Sequence, residues 1–220
     1  MADLRYSFTA SYLWGSAIFA THAHNIERDN PDTVSDDVRA EHRSYVSSTV
    51  FQCAAALEAE IFEILHYGPG HHLGSNGIDV KSRDFLKPLE DLKRDHATLF
   101  IYDLVLHILK KHSIRGHINE KAVYLFGLRN ELLHYKSLWG SEMDRKKFFQ
   151  KLQNQLRLEK PPFVFKNANF FPDKCLSASL ASWCVRAAVD YINEFYEKIE
   201  VKSPLKAYEQ RIIVPDPRTI

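Results

Sequence analysis

Three polar residues near the middle of the chain have types and spacing suited to chemistry on a phosphodiester. They lie in the string LRNELLHY, residues 128–135. The guanidinium of Arg129 is a fixed cation that can bind phosphate oxygens through two parallel hydrogen bonds. An imidazole changes its charge near neutral pH, so His134 can accept or donate a proton. Asn130 lies four residues before His134, and a helix would place both on one face.

The same residues also admit a purely structural explanation. At about 100° per residue, Arg129 and His134 would lie about 140° apart around a helix axis, an offset that the long arginine stem can span. Both side chains could then reach one groove. Alternatively, the motif only caps its helix, Arg129 pairs with a carboxylate such as Glu58 or Glu131, and the histidine packs.

Around this string, apolar residues recur at steps of three and four, which predicts helices. The clearest stripe runs from Val46 to Ile64. Residues 163–165 are expected to form an extended strap and not a strand, and residues after Ser203 an extended tail. The predicted helices cover residues 7–28, 38–66, 85–94, 98–112, 120–138, 144–158 and 173–200.

Composition and pattern favour a single all-α bundle with loop and terminal elaborations. Only 8 glycines and 9 prolines occur in 220 residues, too few for an all-β protein rich in tight turns. No internal repeat suggests a solenoid, and no segment divides the chain. We therefore expect one domain over residues 1–203, with a core at about 38–200 and a tail at 204–220.

The motif R-N-x-x-x-H at residues 129–134 resembles the signature of the HEPN superfamily, compact helical bundles common among prokaryotic toxins and defence ribonucleases. Residues 54–60 (AAALEAE) are similar to the small-residue and Leu-Glu helix that precedes the motif helix in many members. Residues 184–192 (CVRAAVDYI) are similar to the closing helix. Together these segments cover about residues 38–200.

The resemblance implies a HEPN-like bundle that cleaves RNA through the RNA's own 2′-hydroxyl, without metal or cofactor. His134 would act as general base or acid, Arg129 would stabilise charge on the phosphoryl oxygens, and Asn130 would orient the histidine or the phosphate. Members commonly dimerise with their motif helices facing. A homodimer of this chain would bring two copies of His134 into one cleft.

The resemblance also implies a toxin or defence setting, with an antitoxin or another regulatory protein as a partner. Certain relatives carry a tyrosine two residues after the histidine, where a partner attaches a nucleotidyl group. Here Tyr135 follows His134 directly, so the chain departs from that pattern. The competing function is a non-catalytic helical adaptor that binds a protein partner or a nucleotide.

Because the formal net charge is only +1, contact with RNA would need a local basic patch. Two clusters are candidates for binding phosphates on either side of the motif, although basic clusters are often merely solvated faces. The candidate RNA-binding residues are Lys110, Lys111, Arg115, Arg145, Lys146 and Lys147.

No metal site, disulfide framework or membrane segment is predicted. His66, His71 and His72 lie close in sequence, but no further ligand has recognisable spacing, so a solvated loop is expected. The three cysteines form no C-x-x-C pair, so we expect buried thiols. We see no secretory signal and no segment long enough to span a membrane, so we expect a cytoplasmic protein. The three cysteines are Cys53, Cys175 and Cys184.

Overall fold

A computed structural model describes residues 7–67, 98–135, 142 and 146–216. The predicted helix at 85–94, His71, His72 and Arg145 lie outside these residues. The described residues form helices and no strand, which confirms the all-α class. The α-helices within these ranges are α1 (Phe8–Asp29), α2 (Asp36–Tyr67), α3 (Thr98–Ile108), α4 (Gly116–Leu133), α5 (Lys147–Gln155) and α6 (Ala178–Lys198).

Helix α2 is the central element, and it packs against α1, α3, α4 and α6. The stripe predicted from Val46 to Ile64 is buried, and it faces Tyr102 of α3 and Tyr191 of α6 across the same core. Because α2 runs for 32 residues, about 48 Å at about 1.5 Å per residue, it can hold several helices at once.

Several helix ends differ from their predicted positions. Helix α4 starts at Gly116, before the predicted residue 120, and stops at Leu133, before the predicted 138. Helix α6 starts at Ala178 because the Ser177 side chain accepts a hydrogen bond from the Leu180 N–H at 3.2 Å, a typical N-cap. A π-helical turn, Phe170–Lys174, occupies the residues before it.

The segment after Ser203 is not extended as predicted. It forms two short 3-10 turns, Pro204–Ala207 and Glu209–Arg211. Proline suits the first position of such a turn because it lacks an N–H, and a backbone donor is not needed there. Leu205 is buried, and the Arg211 guanidinium lies 5.0 Å from the ring centroid of Trp14, so the tail packs against α1.

A buried carboxylate of α2 binds the start of α1. Glu63 Oε1 accepts hydrogen bonds from the backbone N–H groups of Phe8 at 2.8 Å and Thr9 at 3.3 Å. The first N–H groups of a helix have no partner within it, and a negative charge is favourable there. Glu63 thus fixes where α1 begins, although it lies about 55 residues later in the chain.

A second carboxylate of α2, Glu60, binds α6 through the hydroxyl of Tyr196. Both side chains are buried. Burial raises the pKa of Tyr196, and the charge of Glu60 and their hydrogen bond raise it further. The tyrosine therefore stays protonated, and its hydroxyl donates a hydrogen bond to the carboxylate.

A third buried carboxylate joins three helices at the other end of α1. Glu27 Oε1 lies 2.8 Å from His42 Nε2 of α2 and accepts the backbone N–H of Ala178, the first residue of α6, also at 2.8 Å. Glu27 is 2% exposed and His42 is 1% exposed. Since water cannot substitute there, this junction stabilises the relative position of α1, α2 and α6.

Across the helices described above, none combines the length and the apolar content needed to cross a lipid bilayer.

The Glu27 junction predicts a large loss of stability on truncation. Glu27→Ala leaves the His42 ring and the Ala178 N–H buried without an acceptor, so the free energy of unfolding should fall by about 2–5 kcal/mol. Glu27→Gln, which keeps an acceptor oxygen, should lose less. The exposed Glu159→Ala is the matched control, expected within about 0.5 kcal/mol of wild type in urea denaturation. Equal losses for the Glu27→Ala and Glu159→Ala variants would contradict this role.

Candidate functional site

The motif occupies the last turn of α4 and the residue after it. Leu125 and Leu128 anchor this part of the helix in the core. His134 is the C-cap, with φ −105° and ψ 32°, and its N–H bonds to the Asn130 carbonyl at 2.9 Å. The helix ends at Leu133, although the His134 N–H still makes the last backbone hydrogen bond of α4.

Arg129 is held in place by two neighbours. Its Nη2 donates to Glu58 Oε1 of α2 at 2.5 Å, and its guanidinium carbon lies 5.5 Å from the Phe126 ring centroid. The side chains of Arg129 and Glu58 are 27% and 37% exposed. A guanidinium has five N–H donors, so the pairing with Glu58 leaves donors for a phosphate. The ion pair considered from the sequence is present, and it orients a partly exposed cation.

The other motif side chains lie on the surface. Asn130, His134 and Tyr135 are exposed. The structural explanation is met in two respects, since Arg129 pairs with Glu58 and His134 caps the helix. It fails in the third, because His134 is exposed and not packed in the core. The Tyr135 ring centroid lies 6.5 Å from that of the buried Phe171, so this tyrosine faces the segment before α6. An exposed imidazole at a helix end can exchange a proton with a ligand or with solvent.

The start of α5 lies beside the motif. Lys146 Nζ donates to Glu131 Oε2 at 2.7 Å, and Lys147 is exposed. Gly127 permits this arrangement, because a Cβ there would overlap the ring of Phe148. Of the basic cluster predicted at this position, Lys146 and Lys147 are thus brought close to the motif helix, and Lys146 is already paired.

The other predicted cluster lies at the opposite end of α4, roughly 27 Å from His134 along an 18-residue helix. Arg115 donates to the buried carboxylate of Glu194, and Lys111 lies 2.8 Å from Glu200. Burial disfavours ionisation of Glu194, but the hydrogen bonds from Arg115 outweigh it and lower its pKa. Arg115 joins the start of α4 to α6, Lys111 joins the α3–α4 loop to the residues after α6, and Lys110 remains exposed.

Exposed apolar residues surround the motif on α2 and α4. Phe51 and Phe62 are spaced to share the α2 face that carries Glu58, and Val123 and Leu133 are spaced to share the α4 face that carries Asn130. Val123 and Leu133 are 50% and 58% exposed. We call this surface the motif face: Phe51, Phe62, Val123, Phe126 and Leu133. Phe126 is half-buried and the other four are exposed, and exposed apolar side chains can form an interaction surface.

Within the described ranges, no group of three or more histidine, cysteine, aspartate or glutamate side chains is placed to hold a metal ion. The three cysteines are buried. Burial raises the pKa of Cys53 to about 12, so its thiol is not a reactive nucleophile.

A groove of about 1020 Å³ lies on another side of α4, and we call it the lateral groove. Tyr124 faces it, about 140° around the helix from Arg129 at about 100° per residue. No prediction from the sequence included this groove. The spacing of Trp183 and Arg186 on one face of α6 was a usable signal, but their neighbour Arg157 comes from a segment that only the fold brings near.

Comparison of the chain with protein-family models, curated proteins and solved structures finds no match.

The exposure of the Arg129 pair predicts that motif variants remain folded. Arg129→Ala should lower the free energy of unfolding by no more than about 1 kcal/mol, because a partly exposed ion pair contributes little. Urea denaturation of Arg129→Ala beside wild type and Glu27→Ala measures this. Global unfolding of Arg129→Ala would mean that the arginine is a structural residue.

Proposed function

We propose that this chain is a metal-independent endoribonuclease of the HEPN type. One observation carries the proposal: Arg129 is oriented at the surface by Glu58 and Phe126, on the same helix end as the exposed His134. The arginine can bind a phosphate, and the histidine can move a proton beside it.

In the proposed reaction, the 2′-oxygen of a ribose attacks the adjacent phosphorus while His134 accepts the hydroxyl proton. The bond from phosphorus to the 5′-oxygen breaks, and that oxygen takes up a proton. The products are a 2′,3′-cyclic phosphate and a 5′-hydroxyl. Arg129 stabilises the negative charge that builds on the phosphoryl oxygens, and Asn130 orients the histidine or the phosphate.

This reaction needs one proton removed and another delivered, yet each chain offers one His134. A homodimer through the motif face would supply a second histidine by two-fold symmetry. The exposed apolar side chains there support it, since Val123 and Leu133 would lose contact with water on association. We therefore include a homodimer in the proposal.

The proposed setting is a cytoplasmic toxin or defence system, with an antitoxin or another regulatory protein as partner. The competing candidate is a non-catalytic adaptor. In that case the motif face would bind a different protein, and the Arg129–Glu58 pair would serve only to hold α2 and α4 together.

The mechanism predicts cleavage in the presence of a chelator. Purified protein should cut RNA in EDTA and leave 2′,3′-cyclic phosphate ends, because the nucleophile is the RNA's own hydroxyl. His134→Ala and Arg129→Ala should each lower the rate by about a hundredfold or more. His112→Ala removes another exposed histidine and should leave the rate unchanged. Loss of cleavage in EDTA, with recovery on adding Mg²⁺ or Mn²⁺, would refute the mechanism.

A composite site predicts a non-linear response to mixing. Wild-type chains combined with an excess of His134→Ala chains should form heterodimers that lack one of the two histidines. Total cleavage should then fall faster than the wild-type fraction. A strictly proportional fall, with subunit exchange verified by a tag on one chain, would show that each chain works alone.

A further inference from the structure

The lateral groove has walls that hydrogen bonds hold in place. The Gln155 side chain donates to Glu120 at 2.9 Å, joining the end of α5 to α4. The Lys121 ammonium donates to Asp190 at 3.0 Å, joining α4 to α6. Residues 156–159, Val214 and Asp216 also line the groove. The groove is therefore preformed, and its volume of about 1020 Å³ is at the upper end for small-molecule sites.

Two arginines of the groove are available to an anion. Arg157 and Arg186 are exposed, and neither has a carboxylate partner within the part of the chain that the structure describes. Most other described arginines are engaged: Arg43 pairs with Asp173 at 2.5 Å, and Arg115 is also paired. A guanidinium without a carboxylate can give its forked donors to a phosphate.

An aromatic ring stands next to one of these arginines. Trp183 lies three residues before Arg186, so both are on the same face of α6. Its side chain is half-buried and lines the groove beside the buried Tyr124. An indole face is a good stacking surface for a planar base, and base stacking on aromatic side chains tolerates any base.

The groove also contains carboxylates, which restrict the ligand further. Glu120, Glu159 and Asp216 line it and would repel an additional negative charge. Glu120 and Glu159 can instead accept hydrogen bonds from hydroxyl or amine donors. The ligand that suits all these groups has one anionic group, one flat ring and several donors.

We propose that the lateral groove binds a nucleotide unit, with its phosphate between Arg157 and Arg186 and its base against Trp183. The ribose hydroxyls and base amines donate to the carboxylates. The unit is either a free nucleotide or one nucleotide of single-stranded RNA. For RNA the inference rests on the proposed function and adds a contact away from the cleavage site. For a free nucleotide it stands alone.

Binding of two probes to the uncleaved protein tests the proposal. The probes are AMP, followed by calorimetry, and a labelled hexa-adenylate with 2′-O-methyl riboses, followed by anisotropy. Arg157→Gln and Arg186→Gln should each weaken the binding of at least one probe by about tenfold. Arg28→Gln makes the same change on α1, outside the groove, and should stay within about twofold of wild type. Trp183→Phe keeps a ring and should bind more tightly than Trp183→Leu.

The pattern of loss identifies the source of the nucleotide. Arginine-dependent binding of AMP supports a free nucleotide, and arginine-dependent binding of the hexanucleotide alone supports RNA. Two results would overturn the proposal. In the first, AMP does not bind at millimolar concentration and neither arginine variant changes hexanucleotide binding. In the second, AMP binds and neither arginine variant changes its affinity. Failure of cleavage in EDTA is a separate result, since neither probe is cleaved.

Discussion

Glu58, Glu60 and Glu63 lie within six residues of α2, and each carboxylate binds a different helix. Glu63 caps α1, Glu60 accepts the hydroxyl of Tyr196 in α6, and Glu58 pairs with Arg129 in α4. A buried carboxylate without donors is costly, so the surrounding helices must supply them. We infer that this requirement fixes where α1 and α6 lie against α2, beyond what apolar packing alone would specify. The partly exposed Glu58 only orients Arg129 of α4.

The three pairs differ in exposure, and the difference separates stability from function. Glu60 and Glu63 are buried, whereas Glu58 and Arg129 are partly open to solvent. An exposed pair contributes little to folding, but it can orient a guanidinium for a ligand. The same helix thus carries structural carboxylates on its inner side and one on its outer side, which orients the arginine on the helix end that also carries the exposed His134.

The sequence predicted the helices and the buried stripe of α2 because apolar spacing of three and four is a local signal. It placed the end of α4 too late, since nothing local shows that His134 acts as the cap. It gave no sign that Arg115 pairs with Glu194, because the two residues are 79 positions apart and meet only in the fold. The lateral groove was also not predicted, because only the fold brings Arg157 and Arg186 to the same groove.

The proposed ribonuclease centre requires that His134 and Arg129 bind RNA together. The NMR signals of the histidine side chains test this most directly. Titration with a 2′-O-methyl oligonucleotide should shift the His134 resonances until saturation. Arg129→Gln should abolish that shift, while the protein stays folded and the resonances of the other histidines stay unchanged. If His134 stays unmoved by RNA, or shifts equally without Arg129, the two residues do not form one site and the proposed ribonuclease centre is wrong.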